Sequence, residues 1–273
     1  MDNRPIGVFD SGLGGLTVVR QLMEQLPQED IVYFGDTGRV PYGTRSRETI
    51  ETYTRQDCAF LQGRDVKMII AACGTVSSTA PAILNGLPLP AIGVVESAAD
   101  AAVEASASGR IGVIGTAATI RAGAFRRRME SRRPGVQVTD AACPLFVPLV
   151  ENGWIEEDNP VTRRTAEIYL RPMLEAGVDT LILGCTHFPL LRPVIAAMLP
   201  GVTLIDSGRE AAVRCAGMLR EQELLAARGQ AGVCHYCVSD HAEDFSRVAS
   251  MFLGRPVGGH TEWVRLETIE HAG

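Results

Sequence analysis

The chain has 273 residues, 46% hydrophobic, 21% charged and 5% aromatic, a balance that suits a globular protein of about two domains. Its net charge of −6 argues against a nucleic-acid binder, and no apolar run approaches the ~20 residues of a membrane-spanning helix. Seven cysteines, an odd number spread over a chain too large to need covalent staples, fit free thiols in a reducing cytoplasm, and residues 1–6 contain no apolar signal core.

Residues 6–9 form an apolar run followed by Asp10, Ser11 and a flexible Gly12-Leu-Gly-Gly15. Leu16, Val19, Leu22, Met23 and Leu26 then repeat at helical spacing. A second run, 31–34, leads to Asp36, Thr37 and Pro41-Tyr-Gly43, and Ile50, Tyr53, Phe60 and Leu61 mark the next helix. Run 66–72 ends at Cys73, Gly74 and Thr75; run 91–95 precedes an Ala/Ser-rich helix over 98–108. Run 111–114 is followed by Thr116 and Thr119, and Arg126–Arg128 with Arg132 and Arg133 read as a solvated helix face. Glu151 falls in a turn region over 149–153. Asn159-Pro160 starts a helix that Gly177 stops, with Pro172 expected to kink or split it. Run 180–183 leads to Cys185-Thr186-His187; run 202–205 precedes a long amphipathic helix over 208–228, and run 233–238 closes the series. Continuous short runs alternating with helices predict an α/β fold with mainly parallel sheets.

Two segments echo earlier ones. Residues 111–117 resemble 6–12, and 180–186 resemble 68–75, at offsets that nearly agree. The pattern predicts two similar α/β halves in a pseudo-two-fold arrangement, each with a Cys just past a buried strand; chance likeness among apolar strands is the alternative. Ligands of open α/β sheets sit beyond the strands' carboxyl ends. Two thiols at equivalent strand ends would therefore face each other across a cleft, one on each side of a substrate carbon. That is what stereoinversion at Cα needs: one thiolate removes the proton and the opposite thiol delivers one. An ordinary thiol is only a few per cent ionised at neutral pH, so His187, with Asp10 or Glu151, is a candidate to orient or shuttle protons. The plain structural readings are that either Cys is a small buried hydrophobe, that Asp10-Ser11 caps the following helix, and that His187 is a hydrogen-bonded core residue.

Cofactor chemistry has little to work with. The only lysine is Lys67, at the start of a buried strand with no G-x-x-x-x-G before it, which argues against pyridoxal phosphate and P-loop classes. Gly12-Leu-Gly-Gly15 lacks the spacing of a dinucleotide fingerprint. Cys234-His-Tyr-Cys237 is a lone C-x-x-C with His235, His241 and His260 as further candidates, too little for a zinc site. Cys58, Cys143 and Cys215 read as packing residues.

The segments Gly7-Val-Phe-Asp-Ser-Gly-Leu-Gly-Gly15, Asp36-Thr-Gly-Arg-Val-Pro-Tyr-Gly43, Cys73-Gly-Thr75, Gly115-Thr-Ala-Ala-Thr119, Leu149-Val-Glu151 and Leu183-Gly-Cys-Thr-His-Phe-Pro-Leu190 resemble those of the glutamate racemases, within the wider aspartate/glutamate racemase superfamily. The resemblance covers nearly the whole chain. It implies Cys73 and Cys185 as catalytic thiols, with Asp10, Glu151 and His187 as supporting proton-handling groups. Asp10, Ser11, Tyr42, Gly43, Gly74, Thr75, Thr116, Thr119, Thr186 and His187 would contact glutamate. It also implies two α/β domains, 1–96 plus 208–273 and 97–207, with the site between them. No cofactor or metal would be used, a homodimer is expected, and D-glutamate would go to peptidoglycan synthesis. A racemase of aspartate or another small amino acid, or a non-catalytic binding protein, would share much of this pattern. The family usually has Asn where Gly74 stands, a lost side-chain hydrogen bond of about 0.5–1.5 kcal/mol. Restoring Asn is then expected to lower KM or leave it unchanged. The short lead before the first strand implies no N-terminal extension of the kind some members use to bind a cell-wall precursor activator.

Overall fold

The computed structural model describes residues 1–240, 245–257, 261–265 and 267. Its strands follow the apolar runs: β1 (Ile6–Asp10), β2 (Ile31–Gly35) and β3 (Met68–Ala71) are buried at every position, and β4 (Ala91–Gly93) is half-buried. β5 (Arg110–Gly115), β6 (Gln137–Ala142), β7 (Thr180–Leu183) and β8 (Thr203–Asp206) form a second set, and β9 (Cys234–Val238) and β10 (Thr261–Trp263) return to the first. The sheet orders are β10-β9-β2-β1-β3-β4 and β6-β5-β7-β8. Every pairing among the described strands is parallel.

The order β2-β1-β3-β4 therefore recurs as β6-β5-β7-β8, with β1 equivalent to β5 and β3 to β7. These are the strands that carry the echoed sequences, so the echo reflects repeated topology. Strands of one direction expose all their carboxyl ends on one side of a sheet, and the chemistry-bearing loops collect there.

Helices cross over between strands. α1 (Leu16–Gln25), α2 (Arg47–Gln62), α3 (Gly74–Thr79), α4 (Pro81–Asn85) and α5 (Val95–Ala105) belong to the first stretch. α6 (Ala117–Ala122), α7 (Ala124–Arg132), α8 (Phe146–Glu151), α9 (Pro160–Ala176) and α10 (Arg192–Met198) follow, then α11 (Ser207–Glu221) and α12 (Phe245–Leu253). None of the described helices is long and apolar enough to cross a membrane.

Several sequence expectations are corrected. The helix expected over 208–228 stops at Glu221: Glu223 turns left-handed (φ 57°), and the Leu224 and Glu223 N–H groups bond back to the carbonyls of Leu219 and Arg220. This is a Schellman stop without its customary glycine, so no sequence signal marked it. Pro172 does not split α9, because Pro172 and Ile168, whose carbonyl loses its donor, are both exposed to water. Run 91–95 is cut short as Val95 opens α5. β6 and β10 were not foreseen; both are edge strands, half-buried or exposed, and carry no apolar run. The arginines of α7 are not simply solvated. Arg126 pairs with Asp140, Arg128 and Arg132 with Asp100, and Arg133 donates to the Ser106 carbonyl, tying α7 to β6 and α5. Glu151 is the last residue of α8 rather than part of a turn.

Lys67 lies at the amino end of β3, away from the carboxyl-end loops. Its ammonium is fully buried and donates to Glu29 Oε2 (2.5 Å) and to the carbonyls of Asp2 (2.7 Å) and Leu224 (2.8 Å). Removing one partner of such a pair strands the other in low dielectric. Lys67→Met is expected to lose about 3–5 kcal/mol of stability in urea unfolding. Adding Glu29→Gln, which leaves no buried charge, should recover part of that loss.

Candidate active site

The carboxyl ends of the two sheets enclose a cavity of about 350 Å³. Ser11 and Gly12 past β1, residues 40–44 past β2, and Cys73-Gly74-Thr75 past β3 line one side. Thr116 and Ala117 past β5, Glu151 with Pro144, Val147 and Pro148 past β6, and residues 184–187 past β7 line the other. The apolar wall contributed by 144–148 was not foreseen. It follows the edge strand β6, which had itself gone unrecognised.

Cys73 caps the start of α3 with extended backbone, and its thiol donates to Ser11 Oγ at 3.6 Å. Burial, followed by the nearby Asp10 carboxylate, pushes the Cys73 pKa up to about 12. Asp10 does not line the cavity. It lies behind this wall, 1% exposed, with Oδ2 accepting the Gly15 N–H at 2.9 Å; Oδ1 has no hydrogen-bond partner among the described residues. Its carboxyl is raised by burial, against the pull of His187 and of the Gly15, Gly12 and Ser11 N–H groups. A buried carboxylate oxygen without a partner is costly, and such groups concentrate where chemistry uses them.

Cys185 stands at the equivalent place past β7. Its sulfur is 3.8 Å from His187 Nδ1, and His187 Nε2 is 3.0 Å from Glu151 Oε1. Burial works to deprotonate His187, but its contacts with Cys185 and Glu151 outweigh this and bring it up to about 10. Glu151, half-exposed at the end of α8, connects this chain to solvent. Phe252 packs edge-on against the imidazole, with centroids 5.0 Å apart. The two thiols thus sit in unlike surroundings, Cys73 backed by a carboxyl and Cys185 by an imidazolium.

The threonines bridge the halves. Thr75 Oγ1 lies 2.9 Å from Thr116 Oγ1, which is 3.0 Å from Thr119 Oγ1 and caps α6. Thr119 is therefore one step behind the cavity, in contact with Thr116. Thr186 Oγ1 is 3.4 Å from His187 Nδ1.

Two expected contacts need correction. Tyr42 lines the cavity, but its hydroxyl is turned away and committed to Asp36 and to Asp57 Oδ2 (3.0 Å), so only its ring and backbone face a ligand. Arg39 binds the same two carboxyls, at 2.6 Å to Asp36 and 2.9 Å to Asp57, and Ser239 Oγ donates to Asp36 at 2.7 Å. One phenolic proton cannot serve two carboxylates. Asp57, raised well above the carboxylate range by burial and then by Asp36, supplies the second. The signal for this cluster was in the sequence: Asp57 lies at the buried spacing 50, 54, 57, 61 of α2. At position 74, the space an Asn side chain would need is occupied, because a Cβ there would lie 2.2 Å from the Gly184 carbonyl oxygen.

Three residues apart on β9, Cys234 and Cys237 project to opposite faces of the sheet and do not converge on one ion. His235 is exposed on that strand; His241 and His260 lie outside the described residues.

Residues 6–216 match the model of the Asp/Glu/Hydantoin racemase family. A glutamate racemase of Geobacter metallireducens is 48% identical over 257 residues, 93% of this chain and 94% of the relative. The crystal structure of the Francisella tularensis glutamate racemase with D-glutamate superposes with a TM-score of 0.91 at 37% identity, covering 98% of this chain and all of that one. The Thermus thermophilus glutamate racemase with β-chloro-D-alanine gives 0.88 at 40% identity over 98% of this chain and 99% of its own. The chain belongs to the Asp/Glu/Hydantoin racemase family, in the branch of the glutamate racemases.

A His187 pKa of about 10, against an ordinary 6.5, means that the folded state holds a proton the unfolded chain gives up. Its stabilising contribution is full below about 6.5 and is lost as pH rises through about 10. The ¹⁵N resonances of His187 should therefore report a doubly protonated ring at pH 8, and Glu151→Gln should move its titration to lower pH. A neutral ring at pH 8 would refute the assignment.

Proposed function

We propose that this protein interconverts L- and D-glutamate by a two-thiol mechanism without cofactor or metal. The observation that carries this reading is the pair of buried cysteines at equivalent strand ends, β3 and β7, on opposite sides of one cavity sized for a small amino acid. The hydroxyls of Ser11, Thr75, Thr116 and Thr186, with backbone N–H groups at 43 and 74, would hold the substrate's polar groups. One sulfur, as thiolate, takes the Cα proton; the electron pair stays on Cα; the opposite S–H delivers its proton to the other face. Cα is inverted, and the two cysteines have exchanged protonation states.

The surroundings divide the labour. Cys73 keeps its proton at rest, and the Cys185 sulfur lies 3.8 Å from the His187 ring, which Glu151 holds in place. In the reverse direction Cys73 must lose its proton, and Asp10, with its unpartnered oxygen, is the neighbouring group able to respond. A positioned acid or base of this kind contributes about 10²–10⁴-fold.

Within this reading the site lies between two domains, 1–96 with 208–273 and 97–207. The protein works in the cytoplasm as a homodimer and supplies D-glutamate for peptidoglycan. Asp10 and Thr119 support the site from behind its walls.

The wild-type protein should racemise glutamate with nothing added and keep its activity in chelator, with higher kcat/KM for glutamate than for aspartate. Absence of racemisation with any small amino acid would leave a binding protein. Cys73→Ala and Cys185→Ala should each abolish inversion in both directions, whereas Cys215→Ala, in the core against Met68, should not. In heavy water, early product should carry deuterium at Cα. Full racemisation by Cys73→Ala would rule out the two-thiol reading and point to His187 as base.

A further inference from the structure

Residues 40–44, on one side of the cavity, lie outside any strand, yet all five line the cavity. A loop without a sheet ladder needs other bonds to fix where its N–H groups point. Here they come from behind. Tyr42 and Arg39 are buried, and each binds the same two buried carboxyls, Asp36 at the end of β2 and Asp57 on α2. Arg39 donates from Nε to Asp36 Oδ2 at 2.6 Å and from Nη2 to Asp57 Oδ1 at 2.9 Å, and its guanidinium lies 4.2 Å from the centroid of the Tyr53 ring on α2. Asp57 does not itself line the cavity.

The donors give the two carboxyls different parts. Asp36 receives the Ser239 hydroxyl at 2.7 Å, the Arg39 N–H and the Tyr42 phenol, so it is the carboxylate. The phenol has one proton, and it is spent on Asp36. The 3.0 Å bond between Tyr42 Oη and Asp57 Oδ2 is therefore donated by Asp57, while Asp57 Oδ1 accepts from Arg39. Burial, and then Asp36, hold Asp57 in this protonated form. We propose that Asp57 is a positioning residue for the substrate: as a neutral acid donating to Tyr42 and accepting from Arg39, it fixes the loop over 40–44 and thereby the Gly43 N–H in the cavity. This rests on the reading of the cavity as a glutamate site given above.

The consequence is selective. The Gly43 N–H would meet a polar group of the substrate that does not change as Cα inverts, so a loosened loop weakens ground state and transition state alike. Such a loss raises KM and spares kcat. Asp57→Leu keeps the branching at Cγ and, because Asp57 is neutral, removes no charge. It should raise KM for glutamate about tenfold, the size of one lost hydrogen bond to a charged group, and leave kcat within about threefold of wild type. The conservative variant Asp57→Asn offers an amide N–H to Tyr42 and a carbonyl oxygen to Arg39, and should bring KM back to within about twofold of wild type. Arg55→Ala, exposed on the same helix, should change neither constant.

A KM for Asp57→Leu within about twofold of wild type would overturn the proposal, however much stability the variant loses in urea, because that is the mark of a structural part. So would a fall in kcat with KM unchanged, which marks a part in the chemistry. An Asp57→Asn KM as high as that of Asp57→Leu would overturn it as well, since a neutral donor would then not be what holds the loop. If Asp57→Leu does not accumulate folded, Tyr42→Phe carries the test, because it deletes the hydroxyl through which Asp57 acts and keeps the ring. A several-fold rise in its KM with kcat retained supports the proposal, and an unchanged KM overturns it. The wild-type assay run alongside separates this from failure of the racemase reading, because a wild-type protein that does not invert glutamate fails before any residue is changed.

Discussion

Burial is the constraint on which the rest of this site depends. Two thiols, an imidazole and a carboxylate are withdrawn from water, and each would relax to its neutral form there if nothing opposed it. Cys73 does so, while His187 is held charged by Cys185 and Glu151. Asp10 is caught between the pull of burial and a set of backbone N–H groups. The same dry cavity that makes these charges expensive makes their mutual interactions strong. A thiol pair in open water would have no such asymmetry.

The repeated strand order supplies the geometry for this chemistry. A parallel sheet gathers its functional loops on one edge, and a second copy of that sheet offers an equivalent edge to face it. Equivalent position does not bring equivalent environment. The residue behind Cys73 is a carboxyl at the end of β1, and the partner of Cys185 is a histidine two residues along its own loop. Repetition places the two sulfurs, and local divergence tells them apart.

Around this centre, a buried polar cluster holds one wall in place. The loop over 40–44 is anchored through Tyr42 and Arg39 to two buried carboxyls, one at the end of β2 and one on α2, and through Asp36 to Ser239 past β9. Such a network is stable only when every donor and acceptor is matched, which is why Asp57 retains its proton. It also links the C-terminal strands to the loop that forms one side of the cleft.

Much was legible in the sequence. Apolar runs of strand length, the Asn159-Pro160 start and Gly177 stop of α9, and two Cys after echoed strands depend on local patterning, and local patterning survives in one dimension. The edge strands β6 and β10 were illegible because strands at a sheet's margin need no apolar run, and the stop of α11 because Glu223 takes a backbone conformation normally left to glycine. The sequence by itself determined the fold class and the residue types that reach the strand ends. Only the tertiary structure decided which of them face the cavity: it turned the Tyr42 hydroxyl toward Asp36 and Asp57, set Asp10 and Thr119 behind the walls, and closed Gly74 against Gly184. The reason is that these outcomes depend on distances between segments more than a hundred residues apart, or on which way a side chain turns once its neighbours are in place, and spacing along the chain encodes neither.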